Sequence, residues 1–180
     1  IEIGPPNASI DFSSSNEEAY FRSINNYQGF KAKHASRPKV IYAGSNSGML
    51  HAICAEELGS AKCEPGKELW GFIPPFIASV IPEIVNPDYD GAVDGNGGTN
   101  PIFGVDGSPV AHDVFIEGYD VNGEPEGERN WHTILFVPYG RGGAGFSILD
   151  VTDPDKPLHI VSIYNDYIGN KVLISDVDGE

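Results

Sequence analysis

Arg141 stands in a loop of small residues, Gly140, Gly142, Gly143, Ala144 and Gly145, and an arginine among glycines is one way for a chain to cradle a phosphate. A phosphate loop of that kind leads into a helix, whereas residues 146–151, FSILDV, have the apolar and β-branched composition of a strand. A structural turn is therefore expected at Gly140, Gly142, Gly143 and Gly145, and another at Gly48. Oxygen ligands at Asp88, Asp90, Asp94 and Asn96 would suit calcium, a hard cation. The order of an EF-hand loop asks for Asp or Asn where Ala92 stands, so a solvated loop competes with that assignment. Asp176, Asp178 and Glu180 alternate as cation ligands often do. His51 has no second His or Cys at ligand spacing, which favours a packed or hydrogen-bonded core histidine over a metal ligand.

Cys54 and Cys63 are the two cysteines of the chain and bracket AEELGSAK between two expected strands. A disulfide is expected there, of the kind that persists outside the cytoplasm. Trp70 and Trp131 lie at the edges of apolar runs and are expected to pack rather than to stack on a ligand. The sequence contains no HExxH, GxSxG, CxxC or Walker motif, so no catalytic residue is assigned.

The elements that would hold these residues are short strands. Residues 132–137 and 146–151 flank the glycine loop and make an antiparallel hairpin, which Pro154 and Pro157 stop because proline cannot donate to a ladder. Residues 39–43 (KVIYA), a turn through Gly48, and residues 49–55 (MLHAICA) make a second hairpin. Residues 66–74 add a third strand behind a glycine turn, and residues 110–116 and 171–175 read as further strands. Residues 75–85 read as a short helix or extended cover, and residues 120–130 as a polar surface connection. Residues 1–38 form an irregular lead-in with one short helix, capped near Asn16 and carrying Glu17 and Glu18 in its first turn. Residues 39–180 form the β domain. Gly48 and Gly145 are separated by about two blade lengths of roughly 40 to 50 residues each, so the repeated hairpins favour a propeller over a sandwich.

The 180 residues carry 26 acidic and 11 basic side chains, a formal charge of −15. An acidic surface of that size disfavours nucleic acid and anionic membranes, and no apolar run reaches the roughly 18 residues of a membrane span. The chain opens without a basic start and apolar run, so any signal peptide is expected to lie upstream or to have been removed. It stops just after a strand-like run, and an incomplete propeller that does not fold stably alone is expected.

Residues 39–44 (KVIYAG), 48–52 (GMLHA), 66–70 (GKELW) and 72–74 (FIP) occur in order with Asp106-Gly107-Ser108-Pro109, Asp113, Trp131-His132-Thr133, the 140–145 loop and Leu149-Asp150-Val151-Thr152-Asp153-Pro154. This series resembles the PilC/PilY family of type IV pilus tip-associated adhesins from residue 39 to 157. The resemblance implies a modified β-propeller exported through the periplasm to the cell surface. It also implies a non-enzymatic role in pilus biogenesis and attachment, with minor pilins, the pilus tip, a host or surface receptor and the remainder of its own propeller as partners. A calcium loop belongs to the family further along its domain. The segment between Cys54 and Cys63 is longer than the family's usual turn. Two other readings stay open: a quinoprotein-like propeller oxidoreductase, since GKELW is also similar to that blade motif, and a calcium-stabilised scaffold.

Overall fold

A computed structural model describes residues 1–11, 16–56, 63–82, 103–120 and 123–176. Two antiparallel sheets organise them. In the first, β1 (Glu2–Ile3), β2 (Lys39–Gly44), β3 (Leu50–Glu56) and β4 (Glu68–Phe72) lie side by side in chain order. In the second, β5 (Val110–Tyr119), β6 (Pro125–Pro138), β7 (Gly145–Asp150), β8 (Leu158–Asp166) and β9 (Lys171–Asp176) do the same. Each sheet has its strands in chain order, with α1 and α2 lying in the connection from β1 to β2. Among the described residues the chain is mostly β, of the all-β class, with α1 (Glu17–Ile24), α2 (Tyr27–Lys33), two 3-10 turns and helical residues 81–82 besides.

Strand alternation places one face of each sheet in a shared core. Val40, Tyr42, Leu50, Ala52 and Cys54 from the first sheet meet Leu135, Val137, Leu149 and Val151 from the second, with Val105 between them. Each of these side chains is at most 1% exposed, so the two sheets exclude water from the space between them. Trp70 lies at the edge of this core. Its ring centroid lies 5.7 Å from that of Tyr42, and its indole N–H donates to the Pro154 carbonyl at 2.8 Å.

Cys54 and Cys63 are joined by a disulfide with a Cα–Cα distance of 5.5 Å, and both are buried. Replacing both with serine is expected to cost about 2 to 3 kcal/mol, the entropy regained by opening a loop of about ten residues. Alkylation without reductant followed by intact-mass measurement checks the bond: no added alkyl group is expected, and two would contradict it.

Several elements differ from expectation. Residues 120–130, read as a surface connection, are largely strand: β5 runs to Tyr119 and β6 starts at Pro125, making one long hairpin arm. Polar side chains on a two-stranded arm look like loop composition because neither face carries a continuous apolar stripe. β8 has no counterpart among the expected strands, since its apolar residues are broken by His159, Ser162 and Asn165. The lead-in carries two helices and an edge strand paired to β2. Asn16 does cap α1, its side-chain oxygen accepting from the Ala19 amide at 3.1 Å. Of residues 75–85, those described hold a 3-10 turn at Ala78–Val80 and helical residues 81–82, in keeping with the short-helix reading, while residues 83–85 lie outside the described residues.

The glycine loop is a turn. A 3-10 turn spans Gly140–Gly142, and the reason for glycine is the approach of another chain segment. A Cβ on Gly142 would lie 1.5 Å from the Gly104 carbonyl oxygen, and one on Gly104 would lie 2.3 Å from the Gly48 Cα. The turns of both hairpins thus close on the segment after residue 102, where the Val105 amide donates to Ser45 and the Asp106 amide to Tyr139.

Candidate functional site

The sequence-named chemistry is engaged locally. Arg141 pairs with Asp106 at 2.8 Å and lies 4.0 Å over the Phe103 ring, so its guanidinium braces the junction of the turns. His51 is a correction in part: its side chain is 28% exposed rather than in the core. It is hydrogen-bonded, with Nδ1 2.7 Å from Glu68 Oε1 and Nε2 3.1 Å from Ser45 Oγ. Asp88, Asp90, Asp94, Asn96, Asp178 and Glu180 lie outside the described residues. Asp176 ends β9, opposite Val161. Among the described residues no group of three His, Cys, Asp or Glu side chains is placed to hold a metal.

What the tertiary structure brings together is a different set. Arg37 is 6% exposed and precedes Pro38 at the entry to β2. Its Nη1 donates to Thr133 Oγ1 at 2.7 Å, and its Nε donates to the Gly4 carbonyl at 2.8 Å. The Thr133 hydroxyl donates to Asp113 Oδ1 at 2.6 Å, while the Tyr27 hydroxyl donates to Asp113 Oδ2. Register explains the first of these contacts, since Asp113 and Thr133 are cross-strand partners on the face turned towards the helices. Burial, then the Asp113 carboxylate, raises the Tyr27 phenol far above its ordinary range, so it stays a donor. Burial pulls the Arg37 pKa down, opposed chiefly by the Asp113 charge. A cavity of about 240 Å³, lined by residues 1–8 together with Arg22, Arg37, His112 and Asp113, opens onto this group.

The network continues through the backbone. The Thr133 amide donates to Thr152 Oγ1 at 2.8 Å, and the Thr152 amide donates to Asp150 Oδ1 at 2.8 Å. The other Asp150 oxygen lies 2.6 Å from His132 Nδ1. Burial raises the Asp150 pKa, but His132 and Thr152 outweigh it and hold the carboxyl below its ordinary 3.8. Burial lowers the His132 pKa, and Asp150 with Glu126 outweighs it, so the imidazole sits above 6.5. The linked polar chain runs from α2 through both faces of β6 to β7. Its chemistry is suited to fixing the sheet edges and helices against one another.

Beside it lies Trp131. It is 9% exposed, lies 4.8 Å edge-on from Tyr27 and 5.4 Å from Phe115 by ring centroid, and donates its indole N–H to the Asn25 carbonyl at 2.7 Å.

No family model matches the chain. A type IV pilus biogenesis factor PilY1 homolog from Xylella fastidiosa is 32% identical over 156 residues, 87% of this chain and 10% of that protein. Type IV pilus biogenesis factor PilY1 from Pseudomonas aeruginosa is 33% identical over 129 residues, 72% of this chain and 9% of that protein. Over the residues it spans, the chain belongs to the PilY1 family. The crystal structure of the Pseudomonas aeruginosa PilY1 C-terminal domain superposes with a TM-score of 0.56 at 25% identity, covering 92% of this chain and 25% of that domain. The chain thus spans about a tenth of the length of the PilY1 proteins it matches. The family resemblance expected from residues 39–157 holds. Asp113, Trp131, His132, Thr133, Asp150 and Thr152, which belong to the series that carries the resemblance, are joined in this chain into one network and its aromatic flank. Residue types and spacing alone did not single out Tyr27, Arg37 or Glu126. The available signal was a polar Thr133 at an inward position of an otherwise apolar strand.

Proposed function

We propose that this chain is a non-enzymatic binding module of a cell-surface protein that acts in type IV pilus biogenesis and attachment, forming part of a modified β-propeller. Its partners in this reading are the neighbouring blades of its own longer protein, minor pilins at the pilus tip, and a surface receptor. It would reach the cell surface by export through the periplasm. Among the described residues no helix is long and apolar enough to cross a membrane.

One observation carries the propeller reading. The face of the second sheet turned away from the core is apolar along its rows: Val110 beside Phe136, Ile148 and Val161, and Phe146 beside Ile163 and Ile174. Val110 is 58% exposed and Ile174 57%. Apolar faces of this extent are usually covered, and in a propeller the next blade covers them. The PilY1 relatives are about nine times longer than this chain, which leaves room for such a neighbour. The binding reading rests on the PilY1 relatives, together with a buried polar network whose members bond chiefly to one another.

An in-frame deletion of residues 39–176 from the full-length gene tests the proposal. Loss of surface pili and of attachment is expected, and normal piliation with normal attachment would contradict it. A redox-active absorbance band from a bound quinone in the purified full-length protein would favour the oxidoreductase reading instead.

A further inference from the structure

The β5–β6 arm has a structural peculiarity beyond its length. Glu117 pairs with Arg129 and Tyr119 with Pro125, so residues 126–128 stand opposite Gly118 alone. Three residues against one make a special bulge, larger than the usual two against one, and Gly127 turns it with a φ of +75°. The bulge folds Glu126 back along its own strand, so that its Oε2 lies 3.4 Å from His132 Nε2. The His132 ring sits on Gly118, where a Cβ would be 2.4 Å from the ring. Its side chain is 6% exposed, and its Nε2 makes no hydrogen bond of good geometry among the described residues. One imidazole is thus bracketed by Asp150 of β7 through Nδ1 and by Glu126 of the bulge through Nε2. Beyond residue 133 towards its start, β6 has no ladder to β7, so the outer arm pairs within the second sheet only with β5.

We propose that His132 is a proton-operated latch: its imidazolium, held by Asp150, clasps Glu126 and so holds the bulged end of the arm against a groove of about 790 Å³ that Asn25, Phe30, Lys33 and Trp131 help to line. The neutral ring keeps its Nδ1–H bond to Asp150 and presents a lone pair, not a donor, to the Glu126 carboxylate. The clasp then becomes a repulsion between two acceptors. The charged and titratable groups around it are Asp150 on β7, Glu126, Glu128 and Arg129 on β6, and Lys33 and His34 at the end of α2. Gly118 contributes none from β5. The Asn130 amide side chain donates to Glu126 Oε2 at 2.8 Å and keeps that carboxylate in place in either state.

The sign follows from the direction of the shift. His132 has its pKa raised in the folded protein, so the latch is fully formed below the ordinary value of 6.5 and is lost as pH rises through the folded value. Asp150, with a lowered pKa, stays charged throughout that range.

Hydrogen–deuterium exchange of the full-length protein, corrected for intrinsic rates, tests the latch at about pH 6 and about pH 8.5. Protection of residues 119–131 is expected to fall roughly threefold between the two, while residues 134–150 stay unchanged. E126Q, at a partly exposed position, is expected to lose the pH response, because its amide accepts from the imidazolium without a charge and can donate to the neutral ring. Unchanged protection of the parent's arm, an equal change in residues 134–150, or an E126Q protein that retains the parent's pH response would each overturn the proposal.

Discussion

Replacing Trp131 with alanine is expected to destabilise the folded protein by about 3 to 5 kcal/mol, the largest effect of any single aromatic here. The ring is 9% exposed and fills the space where α1, α2 and the β5–β6 arm converge. Phe21 meets it edge-on at 6.1 Å, Tyr27 edge-on at 4.8 Å and Phe115 at 5.4 Å. These approaches place the positive ring edges against negative faces, so the loss exceeds what burial alone supplies. The deletion also strands the Asn25 carbonyl at the end of α1, which would lose its donor. Because α1 and α2 reach the second sheet largely through this aromatic group, their detachment should accompany the loss. Chemical denaturation of the full-length parent and variant measures the change. A Trp131→Ala protein with the parent's midpoint but weakened attachment would show instead that the ring serves a ligand.

Replacing Arg37 with methionine is expected to cost a comparable amount, about 3 to 5 kcal/mol, for a different reason. Methionine retains much of the side-chain volume, so packing changes little. The guanidinium, however, satisfies the Gly4 carbonyl and Thr133 Oγ1, and half-buried Asp113 is the leading opposite charge acting on it. Without it, two acceptors lose charged donors away from water, and the Asp113 carboxylate keeps only its neutral donors Tyr27 and Thr133. A buried acceptor left without its donor costs more than the bond itself was stabilising. Lysine should recover part of the loss, since it restores the charge without the planar fork. Thermal melts of the three proteins should rank parent, lysine and methionine in that order. A methionine variant as stable as the parent would show that water replaces the guanidinium.

The sequence by itself determined the local pieces. Alternation in residues 39–55 and 132–151, punctuated by glycine turns and the two prolines, specified antiparallel hairpins because side-chain period and turn chemistry act over a few residues. Cysteine count and position specified the Cys54–Cys63 bond, and the ordered series from Lys39 to Pro157 specified the family. Asn16 announced the start of α1, since an N-cap needs one side chain and the amide three residues on.

Only the tertiary structure decided which polar residues meet. Tyr27 and Asp113 are 86 positions apart, and Arg37 and Thr133 are 96 apart, so no local pattern joins them. Their pairing depends on how α2 and the entry to β2 dock on the inward face of β5 and β6. His132 and Glu126 are close in the chain, yet an extended strand would hold them roughly 20 Å apart. The bulge opposite Gly118 brings them to 3.4 Å, and a bulge is set by register between two strands rather than by either strand alone. The same holds at Gly142, whose lack of a Cβ matters because Gly104 arrives from another part of the chain. Short-range physics is written residue by residue, whereas long-range contact is a property of the packed whole.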